Sequence, residues 1–435
     1  MSASQHEDCN ACNEYNELSR RGFITGAAAS VGGVMFAPIF PAWLPKVVLA
    51  ESAATRDIIV SVFLRGGADG LTLCVPFFDD EYYAGRATIA IPRPDSSDPD
   101  RAIALDDYFA FPLAMAGLLP AYVAGDLLIV HATGSTDPSR SHFDAQRFME
   151  VGKPRDPSVN TGWLGRHLAS STPLRSDAPL RALGLSSGLA RTLVGAPRAL
   201  PIPDPATFAI GGRAATRAQR AEWLYDDYIA SQEPVRAAAL DALNTVELLQ
   251  LINFSGYQTA NGATYPNTAF GRSLRSAAAL IKAEVGVEAI QVDLSGWDTH
   301  SNQAPLNGSM FNSMQNLANS LGAFHADVIG SGMAQTVTVV VISEFGRNVR
   351  QNGSLGTDHG RGNCMFAMGR NIDGGRVLVE NWPGLERENL ERGQDLRVTI
   401  DHRDILAEIV QNRLGNPNID VVFPDHSPQF RGVTV

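Results

Sequence analysis

Five apolar runs rich in β-branched residues punctuate the chain, and longer mixed segments separate them. The runs cover residues 57–64, 126–131, 288–294, 336–342 and 364–368. Short, nearly continuous apolar runs are typical of strands that are buried on both faces of a parallel sheet. The pattern therefore predicts a central, mostly parallel sheet.

The segments between these runs predict helices on both sides of that sheet, and hence an α/β fold. The helices are predicted at residues 112–122, 145–150, 216–251, 271–284, 311–329 and 403–414. Asp401 is expected to cap the last of them, and His325 to play a structural part. Residues 79–107 are polar and proline-bearing, and we expect them to run across the surface. Residues 153–205 are expected to be loop-rich, with a short strand around 183–185.

The size and composition of the chain favour one large domain. It has 435 residues, of which 44% are hydrophobic and 19% are charged, so it can bury a large core. We predict a single domain with surface insertions over residues 54–435. The net charge is −11, and no basic run is long enough to follow a phosphate backbone, so nucleic-acid binding is not expected.

The first fifty residues predict export. A twin-arginine motif at residues 19–24 precedes a mildly apolar segment rich in Gly and Ala, and small residues at 48–53 offer cleavage sites. The alternative is a membrane anchor, but Pro38, Pro41 and Pro45 interrupt the segment before it reaches about 20 apolar residues. We therefore assign residues 1–53 to a signal and processing region read by the twin-arginine export machinery. The mature chain is then periplasmic or secreted, without a stable membrane span.

The cysteines leave two alternatives open. Cys9 and Cys12 precede the predicted cleavage site, so only Cys74 and Cys364 remain in the mature chain. In an oxidising compartment this pair could form one disulfide, and two buried free thiols would fit the apolar surroundings equally well.

Acidic and imidazole groups follow several predicted strands directly. Functional groups in open α/β sheets gather beyond the carboxyl ends of parallel strands. Asp298 and His300 are two residues apart, so in extended backbone both side chains reach the same side. A carboxylate with an imidazole suits zinc, manganese or iron, and calcium alone less well. The candidate metal ligands are Asp69, Asp298, His300, Glu344, Asp358 and His359. For Asp69, the alternative is an ordinary turn aspartate.

Residues 133–144 connect the second apolar run to a predicted helix, and they carry several hydroxyl groups and His142. Backbone N–H groups at a helix start favour anions and can stabilise an oxyanion. Ser139 or Ser141 could instead simply cap the helix, which is the commoner use of serine there.

Six short motifs resemble one family, the uncharacterised "domain of unknown function 1501" group, whose members are usually exported by twin-arginine signals. The motifs are residues 63–71, 125–131, 139–144, 296–300, 343–347 and 356–360. The resemblance covers most of the chain after about Arg56. That family is in turn similar to the alkaline phosphatase and sulfatase superfamily.

This resemblance implies an alkaline-phosphatase-like three-layer sandwich, with a mostly parallel sheet between helices and one or two divalent metals at its edge. It implies zinc, manganese or calcium as the metal, held by the six candidate ligands. Ser141 would be the nucleophile, and Arg140 or Arg347 would neutralise the anionic group. His142 would act as a general acid or as another ligand.

Thr136 is the rival nucleophile, because residues 136–140 resemble the sulfatase Cys-x-Pro-Ser-Arg pattern with Thr in the place of Cys. Sulfatases convert a Cys or Ser to formylglycine, which Thr136 cannot supply. The superfamily usually has Asp and His together at a strand end, whereas here Glu344 stands at that end and Asp358-His359 comes later.

Two functional hypotheses follow from the sequence. The first is an exported metal-dependent hydrolase of phosphate or sulfate esters, acting on a small-molecule or polysaccharide ester. The second is a non-catalytic exported binding or envelope protein on the same scaffold, because a fold does not guarantee chemistry.

Overall fold

The computed structural model describes residues 56–435 of the chain. The predicted signal region, with Cys9 and Cys12, lies outside the described residues. Within residues 56–435, every helix is too short or too polar to cross a membrane.

A nine-stranded sheet forms the centre of the molecule, and a separate two-stranded ribbon pairs β2 with β3. The strands are β1 (Ile58–Arg65), β2 (Ile103–Ala104), β3 (Ala110–Phe111), β4 (Leu127–Gly134), β5 (Ala182–Gly184), β6 (Ala199–Pro201), β7 (Ala289–Ser295), β8 (Val337–Ser343), β9 (Asn363–Met368), β10 (Arg376–Leu378) and β11 (Ile400–Asp401). The order across the main sheet is β10-β4-β9-β8-β1-β7-β5-β6, and β11 also pairs with β4.

All pairings in the main sheet are parallel except those of β9, which runs antiparallel to both β4 and β8. Strands β1, β4, β7 and β8 therefore end at one edge of the sheet, and β9 begins there. The predicted mostly parallel sheet is confirmed. This edge is called the site edge below.

Helices cover both faces of the sheet. They are α1 (Gly70–Leu73), α2 (Asp80–Gly85), α3 (Leu119–Val123), α4 (His142–Val151), α5 (Trp163–Ser170), α6 (Arg217–Ile229), α7 (Val235–Gln250), α8 (Ala269–Lys282), α9 (Ser309–Asp327), α10 (His402–Asn412) and α11 (Ile419–Val422), with short 3₁₀ turns between several of them. Asp401 caps α10 by accepting a hydrogen bond from the backbone N–H of Arg403, as predicted.

Alternate side chains of β1 divide the core into two layers. Val60 and Val62 pack in the cluster that contains α8 and α9, whereas Ile59 and Phe63 pack in the cluster that contains α5 and α10. Side chains of a strand alternate between faces, so both faces of this buried strand must be apolar. The result is three layers, with the sheet in the middle.

Two predicted elements differ from the structure. The helix predicted at residues 216–251 is two helices, α6 and α7, and Pro234 lies directly before the second. Proline has no N–H to donate and cannot continue a helix from the preceding turn. Residues 79–107 do not simply cross the surface, because Tyr82 and Arg86 are completely buried.

Cys74 and Cys364 are free, buried thiols, so the disulfide alternative is wrong. Burial raises the pKa of both thiols above the ordinary value. The neutral thiol therefore predominates at neutral pH, and both side chains act as small apolar groups in the core.

Candidate metal centre

Two histidines and an aspartate from three separate segments of the chain converge at the site edge. One ligand atom each of His142, Asp298 and His359 lies within 4.8 Å of the others. His300 adjoins them, with its Nε2 3.1 Å from Asp298 Oδ1. We call these four residues the metal centre.

His142 is the first residue of α4, and a buried carboxylate fixes its ring. Its Nδ1 lies 2.8 Å from Glu344 Oε1, which can only accept, so Nδ1 carries the proton. The lone pair is then on Nε2. That atom is buried without a hydrogen-bond partner among residues 56–435, and it lies 3.6 Å from Asp298 Oδ2. An orphaned acceptor aimed at a carboxylate fits a cation between the two.

His359 is held in the same way by a backbone carbonyl. Its Nδ1 donates to the carbonyl oxygen of Arg140 at 2.9 Å, which leaves the lone pair of Nε2 facing Asp298 Oδ1 at 3.4 Å. Burial, followed by the charges of Arg347 and His142, lowers the pKa of His359 despite the bond to Arg140. The neutral ring is the form that binds metals.

His300 completes the pattern. Its Nδ1 donates to Asp358 Oδ1 at 3.0 Å, and Asn352 Nδ2 donates to the same oxygen. The Nε2 atoms of His300 and His359 then lie 2.9 Å apart, each with a lone pair. Two facing lone pairs repel at this distance unless a proton or a cation lies between them. The residues present therefore fit a divalent cation.

Asp298 is fixed by Arg347, which donates to its Oδ1 at 2.7 Å. Burial alone would raise the pKa of Asp298, but the hydrogen bond and charge of Arg347 outweigh it and hold that pKa below its ordinary value. Three imidazoles and one carboxylate are a ligand set typical of zinc and similar transition metals.

A glycine turn after β1 contacts both Glu344 and Arg347, which hold His142 and Asp298 in place. The N–H of Gly66 donates to Glu344 Oε1 at 2.9 Å, and its carbonyl accepts a bond from Arg347. The backbone of Gly66 has φ +122°, and a Cβ there would lie 2.6 Å from the backbone nitrogen of Asp298. Only glycine fits this conformation and this contact.

The structure does not bring Asp69 to the metal centre, which corrects its predicted role as a ligand. Asp69 is completely buried, and both of its oxygens accept hydrogen bonds from Arg86, at 2.6 and 2.9 Å. Thr72 and Gln303 also donate to it, each at 2.7 Å. The carboxylate is thus engaged by buried donors and is not part of the cluster of His142, Asp298 and His359, which fits a role in stabilising the fold.

Glu344 and Asp358 lie behind the ligands rather than among them, which corrects a second prediction. Glu344 Oε1 accepts from Gly66, His142 and Gln146, and its Oε2 accepts from Ser343. Burial would raise the pKa of Glu344, but these hydrogen bonds lower it on balance, so it stays ionised. Both carboxylates hold the Nδ1 proton of a histidine, an arrangement that orients metal ligands in many proteins.

Neither predicted substrate arginine is free to bind an anion at the centre. Arg347 is completely buried, and it donates to Asp298 and to the backbone carbonyls of Gly66, Gly67, Trp297 and Thr357. Arg140 is ion-paired with the buried Asp395. Arg347 therefore holds the backbone around the centre, whereas Arg140 is engaged by the carboxylate of Asp395.

The sequence of the chain also matches a family as a whole. The model of the family described as "Protein of unknown function (DUF1501)" matches residues 56–414. The chain belongs to the DUF1501 family. The family recognised from six motifs is thus confirmed over nearly the whole of the described structure. No curated protein matches this DUF1501 chain.

Among solved structures, the DUF1501 chain is similar to an alkaline phosphatase from the Antarctic bacterium TAB5. The two sequences are 12% identical, and the match covers 72% of this chain and 92% of that one, with a TM-score of 0.28. A likeness this weak carries no argument about the reaction. The alkaline-phosphatase-like arrangement stays a prediction, and the mixed α/β fold rests on the sheet and helices described above.

The two candidate nucleophiles of the DUF1501 chain lie in different places. Ser141 is exposed, directly precedes His142, and occupies the N-cap position of α4, but its hydroxyl makes no capping bond. Thr136 is exposed on a separate pocket with Arg361 and Arg392. Ser141 therefore adjoins a metal-centre residue, whereas Thr136 does not.

Some supports of the centre were missed from the DUF1501 sequence. Gln146 lies four residues after His142 on α4, so both side chains share one helix face, and this spacing could have predicted their joint contact with Glu344. Asn352 gave no such signal, because it lies six residues before its partner Asp358 in a loop without regular spacing.

Proposed function

We propose that this protein is a metal-dependent hydrolase, with His142, Asp298, His359 and His300 as the metal ligands. The observation that carries the proposal is the shared orientation of the three imidazoles. Each gives its Nδ1 proton to a fixed acceptor, and each Nε2 lone pair faces Asp298.

Zinc is the cation that we favour, because imidazole and carboxylate ligands suit it well. A bound cation of this kind lowers the pKa of water and polarises the oxygens of an ester. Calcium fits poorly, since it takes six to eight oxygen ligands and three of the four groups here are nitrogens.

The residues around the centre prepare it for this chemistry. Glu344, the carbonyl of Arg140 and Asp358 each hold one histidine ring in a single tautomer. Arg347 fixes Asp298 without blocking Oδ2, the oxygen that faces His142. Such pre-oriented ligands lose little freedom when a cation binds.

Phosphate and sulfate esters are the substrates that we propose. The ten-residue helix α4 begins at the centre, and the partial positive charge of a helix start favours an anionic group there. The exposed hydroxyl of Ser141 is the nucleophile in this proposal, and water is the alternative. Thr136 is set aside, because its pocket is lined by other residues.

The first experiment measures metal content and turnover. Purified protein should contain about one zinc-class ion per chain, and it should hydrolyse 4-nitrophenyl phosphate or 4-nitrophenyl sulfate until a chelator is added. His142→Ala and His359→Ala should lose both properties, whereas His325→Gln, which changes a histidine paired with Asp126, should keep them. Well-folded protein without metal, or turnover that resists chelation, would refute the proposal.

Two further variants distinguish the orienting role of Glu344 from the nucleophilic role of Ser141. Glu344→Gln should lower metal affinity by about 10- to 100-fold, because it removes an orienting carboxylate. Ser141→Ala should abolish turnover and leave metal binding intact. If Ser141→Ala turns over normally, water is the nucleophile.

A non-catalytic exported metal-binding protein is the second candidate. Both arginines predicted to bind the substrate already have other partners, which favours this candidate. Arg347 is buried among carbonyl groups, and Arg140 is paired with Asp395. Bound metal without turnover on either ester would select this candidate.

We further propose that the protein reaches the periplasm or the medium through the twin-arginine pathway, because of the motif at residues 19–24. Replacing Arg20 and Arg21 together by lysine should retain the protein in the cytoplasm in cell fractionation, whereas Arg101→Lys should not. Unchanged export of the double variant would contradict this route.

A further inference from the structure

A cavity opens beside the segment that leads into α4. Its volume is about 450 Å³, and its lining includes Thr136, Arg361, Glu391, Arg392 and Arg397. We call it the arginine pocket. None of the metal-centre residues lines it.

The arginine pocket carries an excess of positive charge. Arg361 is paired with Glu391 at 2.7 Å. Arg392 and Arg397 are exposed, and over residues 56–435 neither forms an ion pair. Arg155 adds a further guanidinium by donating to the carbonyl of Thr136 at 2.9 Å. In a chain with a net charge of −11, this is a local reversal of sign.

Arg361, Arg392 and Arg397 line one pocket, and Glu391 is the single carboxylate in that lining. Like charges held together destabilise one another until an anion compensates them. Guanidinium groups are well suited to that anion, because they bind phosphate, sulfate and carboxylate in a planar, two-point geometry.

The arginine pocket and the metal centre are joined by a short segment. Thr136 lies on the pocket, and the carbonyl of Arg140 holds the ring of His359. Four residue steps of extended chain span at most about 14 Å. One elongated substrate can therefore reach both places.

We propose that the arginine pocket binds a second anionic group of the substrate, so that the natural substrate is an ester with at least two phosphate, sulfate or carboxylate groups. This inference rests on the proposed hydrolytic function of the metal centre. Arg392 and Arg397 would make the contacts that distinguish such a substrate from one with a single charge.

The first test measures binding in the absence of metal. Protein treated with a chelator is titrated with tripolyphosphate in a calorimeter at low ionic strength. Arg392→Gln and Arg397→Gln should each weaken binding about tenfold, because each variant loses a charge-assisted hydrogen bond to the anion. Arg272→Gln removes an exposed guanidinium of α8 outside the pocket and should bind as the wild type does. Thermal melts confirm that the three variants are folded.

Absence of binding, or equal affinity of all four proteins, would overturn the proposal. Because this titration uses metal-free protein, it does not depend on turnover, so its failure is distinct from failure of the hydrolase proposal.

The second test links the pocket to catalysis in metal-loaded protein. For an aryl phosphate that carries a remote carboxylate, Arg392→Gln should raise KM about tenfold more than it does for 4-nitrophenyl phosphate. Equal changes of KM for the two esters would mean that the arginine pocket does not bind the remote anionic group of the substrate.

Discussion

One proton position decides what each histidine of the metal centre can do. A neutral imidazole has one N–H and one lone pair, so fixing the proton on Nδ1 assigns the lone pair to Nε2. Glu344, Asp358 and the carbonyl of Arg140 make this assignment for His142, His300 and His359 respectively. Three different acceptors thus place the proton on Nδ1 and the lone pair on Nε2 in all three rings.

Asp69 offers a test of the difference between a ligand and a structural carboxylate. Asp69→Asn leaves the buried charge of Arg86 unpaired, so we expect the free energy of unfolding to fall by about 3–5 kcal/mol. Metal content should not change. Denaturant unfolding and elemental analysis of the same preparation measure the two effects.

Asp80→Asn is the control, because Asp80 pairs with Arg93 at the surface and should contribute little. If Asp69→Asn loses its metal while its stability is preserved, the ligand role inferred from sequence would be restored.

The turn after β1 supports the metal centre through its backbone. Gly66→Ala forces a Cβ against the backbone of Asp298 in a conformation suited to glycine, so it should lower stability by about 1–3 kcal/mol and weaken metal binding. Gly125 also has a positive φ, of +80°, but has open space around its Cβ position. Gly125→Ala should therefore cost stability and leave metal binding unchanged.

Denaturant unfolding and competitive metal titration of these two glycine variants provide the measurement. Equal metal affinity of both variants would show that the turn does not position Asp298.

The strands and the site edge could be predicted from sequence because each depends on local pattern. The apolar runs predicted the five long strands. Asp298 and His300 follow β7 closely, and His359 lies in the loop between β8 and β9, so all three were expected at one edge. The role of Asp69 could not be predicted, because its partner Arg86 lies in a polar segment expected at the surface. Burial of that arginine is decided by packing against distant residues such as Val349, whose carbonyl accepts from Arg86 Nε.

The roles of Glu344 and Arg347 were also beyond the sequence. Both are charged residues after a strand, which is the pattern of a functional group. In the structure the N–H of Gly66 donates to Glu344 and the carbonyl of Gly66 accepts from Arg347, so the turn holds both side chains in place. Such a contact joins residues about 280 positions apart, and no local pattern records it.

Two buried histidines make the stability of the folded chain depend on pH. Burial lowers the pKa of His131 to about 4. Burial, with the nearby charges of Arg56 and Arg181, lowers the pKa of His167 to about 3. Both rings are neutral in the folded chain at pH 5, whereas the unfolded chain, with histidine pKa values near 6.5, binds protons there.

The unfolded state thus binds more protons below about pH 6.5, so the free energy of unfolding falls as pH falls through this window. Each histidine should remove about 2 kcal/mol between pH 7 and pH 5. His167→Asn should be less stable at pH 7 but should lose about 2 kcal/mol less on acidification. Denaturant unfolding at both pH values, with chelator present, provides the measurement, and equal pH dependence of variant and wild type would contradict it.

The reversed direction of β9 brings both ends of one connection to the site edge. Strand β8 ends at the site edge and β9 begins there, so the connection at residues 344–362 has both of its ends anchored at the same rim. Its middle is bonded to the loop after β7, because Asn352 donates to the carbonyl oxygen of His300 and the N–H of Gln303 donates to the carbonyl oxygen of Leu355. An insertion or deletion in this connection would therefore displace Asp298 and His300 together with His359, although these residues lie in different segments of the chain.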